Sequence, residues 1–300
     1  MSLKVRDYII LMKFTLSFTV VFSCVICYLL APNVLFDLKM VILLFVAGML
    51  VTGSASAINQ SIEKDTDALM KRTADRPVAS GRVSQNEAYI FAGITGIIGV
   101  LMMYLFFNLS SAILSAFSLF FYAFVYTPLK KVSSIAVLAG ALPGALPCFI
   151  GWVAGTDLIS PFSFTEVGHV SNIAGWALFG IQFLWQFPHF WAIAWVAHGD
   201  YSKAGFKLLP ADKGPTKFTA IQTILYSIVM LPVGVIPKYL GLTGNISFWI
   251  VIVLNLFLIV QCVRLYKDMN VKAARLVMFS SYIYLPLVYL SLLADKVHFI

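Results

Sequence analysis

Charge is scarce in this 300-residue sequence. Only 11% of its residues are Asp, Glu, Lys or Arg, whereas an ordinary soluble domain has about 25%. Hydrophobic residues make up 60% of the chain. Such a composition cannot cover a folded core with a polar shell, which excludes an ordinary soluble protein and predicts an integral membrane protein.

Long polar segments are also missing. The longest polar connections run at about 60–87, 156–172 and 197–216, and none could bury a hydrophobic core of its own. We therefore expect residues 1–300 to form a single polytopic membrane domain. The first apolar run is too long for the core of a cleavable signal peptide, so we expect it to remain as a span.

Cysteine is rare, with four residues that all lie within apolar runs. Cys24 and Cys27 form a C-x-x-C pair, but a redox or metal site also needs polar neighbours and access to solvent. We expect these cysteines to act as small packing residues.

Long apolar runs, in contrast, are abundant. About 20 apolar residues suffice for a helix to cross a hydrocarbon core of roughly 30 Å. The sequence predicts an all-α protein with nine transmembrane helices, of which the fourth is the shortest. The nine runs lie at about 9–31, 39–58, 88–108, 110–127, 135–155, 173–196, 217–236, 246–266 and 278–295.

The distribution of Lys and Arg predicts the orientation, because positively charged loops stay in the cytoplasm. With nine spans and a cytoplasmic N-terminus, 18 of the 21 cations fall inside, and only Lys39, Lys238 and Lys296 fall outside. The net charge of +8 is thus explained by topology and does not indicate nucleic-acid binding. We expect a multi-pass protein of the cell inner membrane.

One polar stretch, NQSIEKDTDALMKRTADRP at 59–77, holds four carboxylates and four cations. Asn59, Glu63 and Asp67 are spaced by four residues, which stacks them on one helical face at the cytoplasmic end of the second span. Such oxygen ligands suit Mg²⁺, which takes one or two carboxylates and completes its shell with water and substrate phosphate. Arg72 and Arg76 could then bind the phosphate. A loop that had only to be positive would not need four acids.

Two further polar segments emerge on the same membrane face. The sixth span leads into a loop with Asp200 and Lys203, and an even number of spans separates this loop from the first stretch. The sequence YTPLKK at 126–131 offers Tyr126 and Lys130 to a diphosphate. The three segments could therefore form one shared site.

These residues resemble a known family. The pattern at Asn59, Glu63, Asp67, Arg72 and 73–77 is similar to the first signature of the UbiA-type membrane prenyltransferases, which ionise an isoprenoid diphosphate and join it to an acceptor ring. Four further motifs resemble the branch of that family that farnesylates protohaem IX: DTDALMKRT at 65–73, ALPCFIGW at 145–152, WQFPHF at 185–190 and DYSKAGF at 200–206.

The resemblance implies a fold, a reaction and a set of site residues. The fold would be nine helices around a central cavity that opens toward lipid. The enzyme would transfer farnesyl from farnesyl diphosphate to a vinyl group of haem B, giving haem O, and a haem-modifying enzyme or terminal oxidase would be the downstream partner. The implied residues are Glu63, Asp67 and Asp200 as Mg²⁺ ligands, Asn59 beside them, and Arg72, Arg76, Tyr126, Lys130 and Lys203 for the diphosphate.

Two departures bear on this resemblance. Glu63 stands where the family more often has Asp, which bears on the affinity for Mg²⁺. The quinone-type relatives have a second D-x-x-x-D, whereas this chain has WQFPHF followed by Asp200 alone. The second departure favours the haem branch.

His189 is unusual because it lies in an apolar span. Imidazole is a natural axial ligand of haem iron, and with Trp185 and Gln186 it would form the haem-binding part of the site. The alternative is a packing histidine bonded to a backbone carbonyl that Pro188 leaves free. The sequence leaves both interpretations open.

Two other functions also stay open. The acceptor could be a quinone or chlorin precursor. The chain could instead be a polytopic transporter, but its carboxylates cluster at one face and none lies at mid-span, where coupling sites usually lie.

Overall fold

The computed structural model describes residues 3–211 and 214–298, and most of this part of the chain is helical. Lys213, one of the cations counted above, lies outside the described residues. Within them β-structure is limited to two isolated bridges, Phe164 with Ser171 and Thr243 with Lys296. The predicted all-α class is confirmed for this part of the chain.

Thirteen α-helices and one π-helical segment follow one another along the chain. The π-helical segment, Phe121–Tyr126, joins α6 to α7 without a break. The α-helices are α1 (Leu3–Leu11), α2 (Phe14–Leu30), α3 (Leu38–Ile62), α4 (Lys64–Ala68), α5 (Gln85–Phe106), α6 (Leu109–Phe120), α7 (Thr127–Leu129), α8 (Ala136–Thr156), α9 (Ile173–Val196), α10 (His198–Lys203), α11 (Lys217–Tyr239), α12 (Asn245–Asp268) and α13 (Val271–Ala294).

The number of apolar spans is smaller than the nine predicted. Among the described residues, seven helices are long and apolar enough to cross a membrane, and there are eight if the α1–α2 pair, bent by 48°, is one span. The weak fourth run is among the seven, as Leu109–Leu129. Helix α9 is 24 residues long but is not among them, because its two Gln, Pro188 and His189 lower its hydropathy.

Polar residues at helix ends explain where several helices begin. Ser84 accepts a hydrogen bond from the backbone N–H of Glu87 at the start of α5, and Asn108 does the same for Ser111 at the start of α6. These side chains satisfy N–H groups that have no partner within the helix. Lys13 instead separates α1 from α2 in a left-handed conformation, with φ 48° and ψ 53°.

Helix α8 forms the centre of the bundle. It packs against α2, α6 and α9, and Cys148, Phe149, Trp152 and Val153 are buried along it. Trp152 Nε1 donates to Asn172 Oδ1 at 2.6 Å, so the buried indole is satisfied. The four cysteines are free and buried, in agreement with the predicted packing role.

The segment between α3 and α5 is fixed to α1 by ion pairs. Arg82 Nε donates to Asp7 Oδ1 at 3.0 Å, and Arg82 Nη1 donates to Asp75 Oδ1 at 2.8 Å. The pKa of Arg82 is raised above its ordinary value because Asp7 and Asp75 accept these hydrogen bonds. Tyr8 donates to Glu87 at 2.6 Å. These contacts attach the segment before α5, and the start of α5, to α1.

Gly151 allows α2 and α8 to approach closely. A Cβ at this position would collide with the backbone carbonyl of Cys24. We expect Gly151→Ala to destabilise the protein by roughly 1–3 kcal/mol, because a backbone obstacle cannot rotate away. The measurement is thermal unfolding in detergent.

Gly93 on α5 provides the matched control, since a Cβ there would meet nothing within 4 Å. Gly93→Ala should leave the unfolding temperature unchanged or raise it slightly. Equal unfolding temperatures for both variants would contradict the close packing of α2 on α8.

Candidate active site

A cavity of about 830 Å³ lies at the end of the bundle where α3 ends. Its wall brings together the three polar segments considered in the sequence: the 59–76 stretch, the YTPLKK turn, and the segment that follows α9. Helices α1, α2, α8, α9 and α13 complete it with apolar side chains. The cavity is therefore polar at one end and apolar at the other.

The cavity also has a sideways opening. Phe14, Leu16 and Tyr282 line it although they are 49%, 53% and 50% exposed. These residues belong to the start of α2 and to α13, so the gap lies on the outer surface of the bundle. An apolar opening at this place would face lipid.

Asn59, Glu63 and Asp67 form the predicted column. The helix is interrupted at Glu63, but the backbone bonds Glu63 N to Asn59 O (3.0 Å) and Asp67 N to Glu63 O (2.7 Å) keep the four-residue spacing. All three side chains are buried and line the cavity. The spacing argument thus correctly predicts one shared face.

Each carboxylate of the column has a cationic partner. Lys130 Nζ donates to Glu63 Oε1 at 2.7 Å. Arg76 Nη1 lies 2.8 and 2.7 Å from the two oxygens of Asp67. Since both acids are almost fully buried, the pairing compensates the cost of removing them from water.

Asn59 is held by two side chains. Lys13 Nζ donates to Asn59 Oδ1 at 2.7 Å, and Asn59 Nδ2 donates to Thr127 Oγ1 at 3.2 Å. Because an ammonium group can only donate, Lys13 fixes which end of the amide faces it. The column is thus joined to both the α1–α2 break and α7.

The cavity wall carries a surplus of positive charge. Among the described residues, the side chains that line it include four cations, Lys13, Arg72, Arg76 and Lys130, and two carboxylates. With both acids already paired, Lys13 bonds an amide, and Arg72 Nη2 donates to the hydroxyl of Tyr201 at 3.3 Å. Cations in such surroundings favour an anionic ligand, and a diphosphate provides one.

Lys130 is positioned by its surroundings. Its Nζ lies 4.7 Å from the ring centroid of Tyr126 and 5.7 Å from that of Phe206. Its carbonyl accepts the backbone N–H of Lys207 at 2.8 Å, which joins two of the three segments. Gly140 leaves space for the Tyr126 ring, since a Cβ there would lie 2.5 Å from Tyr126 Cε2.

Asp200 and Lys203 are not brought to this cluster. Neither lines the cavity; α10 places Tyr201 there instead. Within residues 3–211 and 214–298, there is no group of three His, Cys, Asp or Glu side chains that could hold a metal ion. The predicted trio of Glu63, Asp67 and Asp200 is therefore not assembled in this structure.

Glu63 and Asp67 alone still fit Mg²⁺. They face one cavity, from successive turns of one column. Mg²⁺ needs only one or two protein carboxylates when phosphate and water complete its shell. The donor set is thus sufficient for a metal that arrives with a diphosphate.

His189 lies in the apolar part of the cavity wall and is only 7% exposed. Its Nδ1 is 2.8 Å from the hydroxyl of Ser281 on α13, so its partner is not the carbonyl considered in the sequence. Trp185 does not line the cavity but stacks on the imidazole, with ring centroids 4.5 Å apart.

Gln186 faces away from this wall. Its Nε2 donates to Ala141 O at 2.9 Å on α8, where Gly144 leaves space for the side chain. The expectation that Gln186 contacts haem disagrees with this placement, because the side chain is engaged in helix packing.

Lys13, Tyr201 and Phe206 line the cavity but were not among the predicted site residues. Tyr201 and Phe206 stand inside the DYSKAGF motif, so that motif was the available signal. Lys13 was counted only as a charge that sets topology. No Gly or Pro marks the break that turns it inward.

Comparison with known proteins adds sequence relatives. The model of the UbiA prenyltransferase family matches residues 20–283. The chain is 42% identical to the protoheme IX farnesyltransferase of Cytophaga hutchinsonii, over 99% of this chain and 100% of the relative. It is 41% identical to the protoheme IX farnesyltransferase of Flavobacterium johnsoniae, over 97% and 94%.

Solved structures share the fold. A structure from work on digeranylgeranylglyceryl phosphate synthase in membranes has a TM-score of 0.78 at 21% identity, covering 98% of this chain and 99% of that one. A UbiA homolog from Archaeoglobus fulgidus bound to GPP and Mg²⁺ has a TM-score of 0.65 at 16% identity, covering 95% and 99%.

Proposed function

Because the chain belongs to the UbiA prenyltransferase family and, within it, to the protoheme IX farnesyltransferases, we propose that it transfers farnesyl from farnesyl diphosphate to a vinyl group of haem B, giving haem O. One observation of the molecule carries the proposal. A single cavity joins a cluster of surplus cations to an apolar wall that contains a buried histidine.

The diphosphate binds at the polar end. Among the described residues Arg72 and Lys13 make no ion pair with a carboxylate, and Arg76 and Lys130 also line this end of the cavity. Tyr126, against Lys130, offers a hydroxyl. Lys203 is exposed and outside the cavity wall, so its role stays a prediction.

Glu63 and Asp67 are the residues that would hold Mg²⁺. When bound, the ion neutralises charge on the leaving diphosphate and so eases cleavage of the allylic C–O bond. A UbiA homolog of the same fold was solved with GPP and Mg²⁺ bound, which supports a role for the metal. Asp200 as a third ligand stays a prediction.

The reaction needs no covalent intermediate on the protein. The allylic C–O bond breaks and its electron pair leaves with the diphosphate, whose oxygens the surrounding cations stabilise. The vinyl group of haem B supplies the electron pair of the new C–C bond. Water then adds to the resulting cation and loses a proton, which gives the hydroxyethylfarnesyl side chain.

The apolar wall protects the farnesyl cation. Ile10, Phe190, Ile193 and Val196 line that part of the cavity and offer no nucleophile. Exclusion of water until the C–C bond has formed prevents hydrolysis to farnesol.

We place the chain in the cell inner membrane as one domain, with the cavity toward the cytoplasm. The nine-span arrangement counts the α1–α2 pair as the first span and α9 as the sixth. With a cytoplasmic N-terminus it keeps 18 of the 21 cations inside. Haem O then passes to a haem-modifying enzyme or a terminal oxidase.

The direct test is incubation of membranes that contain the protein with haem B and farnesyl diphosphate. We expect haem O, identified by mass, and none without the protein. If the protein prenylated an aromatic acid or a chlorin precursor but not haem, it would still be a prenyltransferase, and haem B would be wrong as its acceptor. Absence of any prenyl transfer would contradict the enzyme assignment.

Removing the Asp67 carboxylate should disable the metal site. Asp67→Asn is expected to lower turnover by about 100-fold or more, because the developing diphosphate charge loses a stabilising group. Glu63→Asp, which introduces the commoner family residue, should keep activity or change only the Mg²⁺ concentration required. Gel filtration in detergent checks that both variants fold. Full activity of Asp67→Asn would contradict the assignment.

Lys13 should contribute to diphosphate affinity. Lys13→Met removes a cation from the cavity wall and should weaken farnesyl diphosphate binding by roughly 10- to 100-fold, the range for a charged hydrogen bond. Calorimetry measures the affinity. Lys4→Met is the matched control, because Lys4 is exposed on α1 and does not line the cavity. An equal effect of both variants would assign Lys13 to long-range electrostatics only.

A further inference from the structure

We infer that His189 ligates the iron of haem B through Nε2, and that Ser281 acts as the positioning residue that fixes the required tautomer. The inference rests on the proposed function, since it concerns how that acceptor is held. It goes further by assigning one atom of the protein to one atom of the substrate.

The imidazole is held in one orientation. Trp185 stacks on it at 4.5 Å with the planes inclined by 16°, and Tyr282 meets it edge-on at 4.9 Å and 76°. Trp185 Nε1 in turn donates to the carbonyl of Ser281 at 2.8 Å. A ring that is stacked on Trp185 and bonded at Nδ1 to Ser281 is held in one orientation, so the directions of its two nitrogens are fixed.

The hydrogen bonds of Ser281 determine the tautomer. A serine hydroxyl has a single proton, and Ser281 Oγ donates it to the carbonyl of Met278 at 2.6 Å. The second contact of Oγ, to His189 Nδ1 at 2.8 Å, must then be a bond that Oγ accepts. Nδ1 therefore carries a proton, and in the neutral ring, the form that burial favours, Nε2 carries a lone pair.

Nε2 has no hydrogen-bond partner within residues 3–211 and 214–298, although His189 is 7% exposed and lines the cavity. Because His189 lines the cavity, a ligand in the cavity can reach this nitrogen. A metal-ligating histidine commonly donates its other N–H to an oxygen, which fixes the ring and raises its basicity. His189 and Ser281 have this arrangement.

The lone pair also discriminates between the two substrates. Diphosphate oxygens carry lone pairs of their own and cannot bond to the lone pair of Nε2. Ferrous or ferric iron is a Lewis acid, so it can accept that electron pair. Ligation would thus hold the porphyrin at the apolar end of the cavity and leave the cations of the polar end to farnesyl diphosphate.

The test compares haem B with metal-free protoporphyrin IX, because an axial ligand adds affinity only for the porphyrin that contains iron. Binding of each to the purified full-length protein is followed by absorbance titration, with farnesyl diphosphate binding by calorimetry as the measure of correct folding. The variants are His189→Ala, Ser281→Ala and, as the matched control, Ser280→Ala, a buried neighbour on α13 that does not line the cavity.

His189→Ala should weaken haem binding by more than 10-fold and leave protoporphyrin binding nearly unchanged. Ser281→Ala should weaken haem binding by about 10-fold, the lower range for loss of an outer partner of a metal ligand. Added imidazole should restore the iron-dependent affinity of His189→Gly. Ser280→Ala should bind both porphyrins as the wild type does.

Equal losses for haem and protoporphyrin in His189→Ala, or no loss for either, would overturn the inference and return His189 to a packing role. An unchanged haem affinity in Ser281→Ala would overturn the role of Ser281. Neither result would affect the proposed function, which is judged by haem O formation in the wild-type protein. Failure of the wild type to bind haem at all would count against both.

Discussion

Two buried ion pairs organise the active-site end of the molecule. Glu63 with Lys130 and Asp67 with Arg76 join segments that are 67 and 9 residues apart. Loss of one partner from a buried pair typically costs about 3–5 kcal/mol, because the remaining charge stays out of water. The column, the YTPLKK turn and the loop before α5 are therefore held to each other, and the cavity depends on their staying so.

The pairs also explain why the cavity suits an anion although it contains acids. Each acid is matched by one cation, so the charge that remains is that of Lys13 and Arg72. Those two cations, which bond an amide and a hydroxyl, are available to an entering diphosphate. The opposite end of the same cavity is mainly apolar, and its polar groups include His189 and the hydroxyl of Tyr282. The leaving group is thus stabilised at one end of the cavity, and the carbocation is protected from water at the other end.

Features set by local periodicity could be predicted from the sequence, whereas those set by packing could not. The four-residue spacing correctly brought Asn59, Glu63 and Asp67 to one wall, because i to i−4 bonds persist across the interruption at Glu63. Gln186 was expected at the haem, but its direction depends on the gap at Gly144 of another helix. Asp200 was expected at the metal, but the orientation of α10 places its neighbour Tyr201 at the wall. Each of the nine apolar runs overlaps an observed helix, but within the described residues only seven helices, or eight with the bent α1–α2 pair, are long and apolar enough to span a membrane. Helix α9 falls short because its two Gln, Pro188 and His189 lower its hydropathy.

The break between α1 and α2 keeps a charged side chain away from the lipid. Phe14, Thr15 and Leu16, the residues directly after Lys13, are exposed on the outer surface of the bundle. A straight helix through these positions would leave the ammonium group near lipid, where a charge costs several kcal/mol. Lys13 instead adopts a left-handed conformation, φ 48°, which costs a non-glycine residue about 1–2 kcal/mol. That smaller cost places its Nζ on Asn59 inside the cavity. The bend of the first span is thus the means by which a cation at the lipid boundary becomes part of the anion-binding wall.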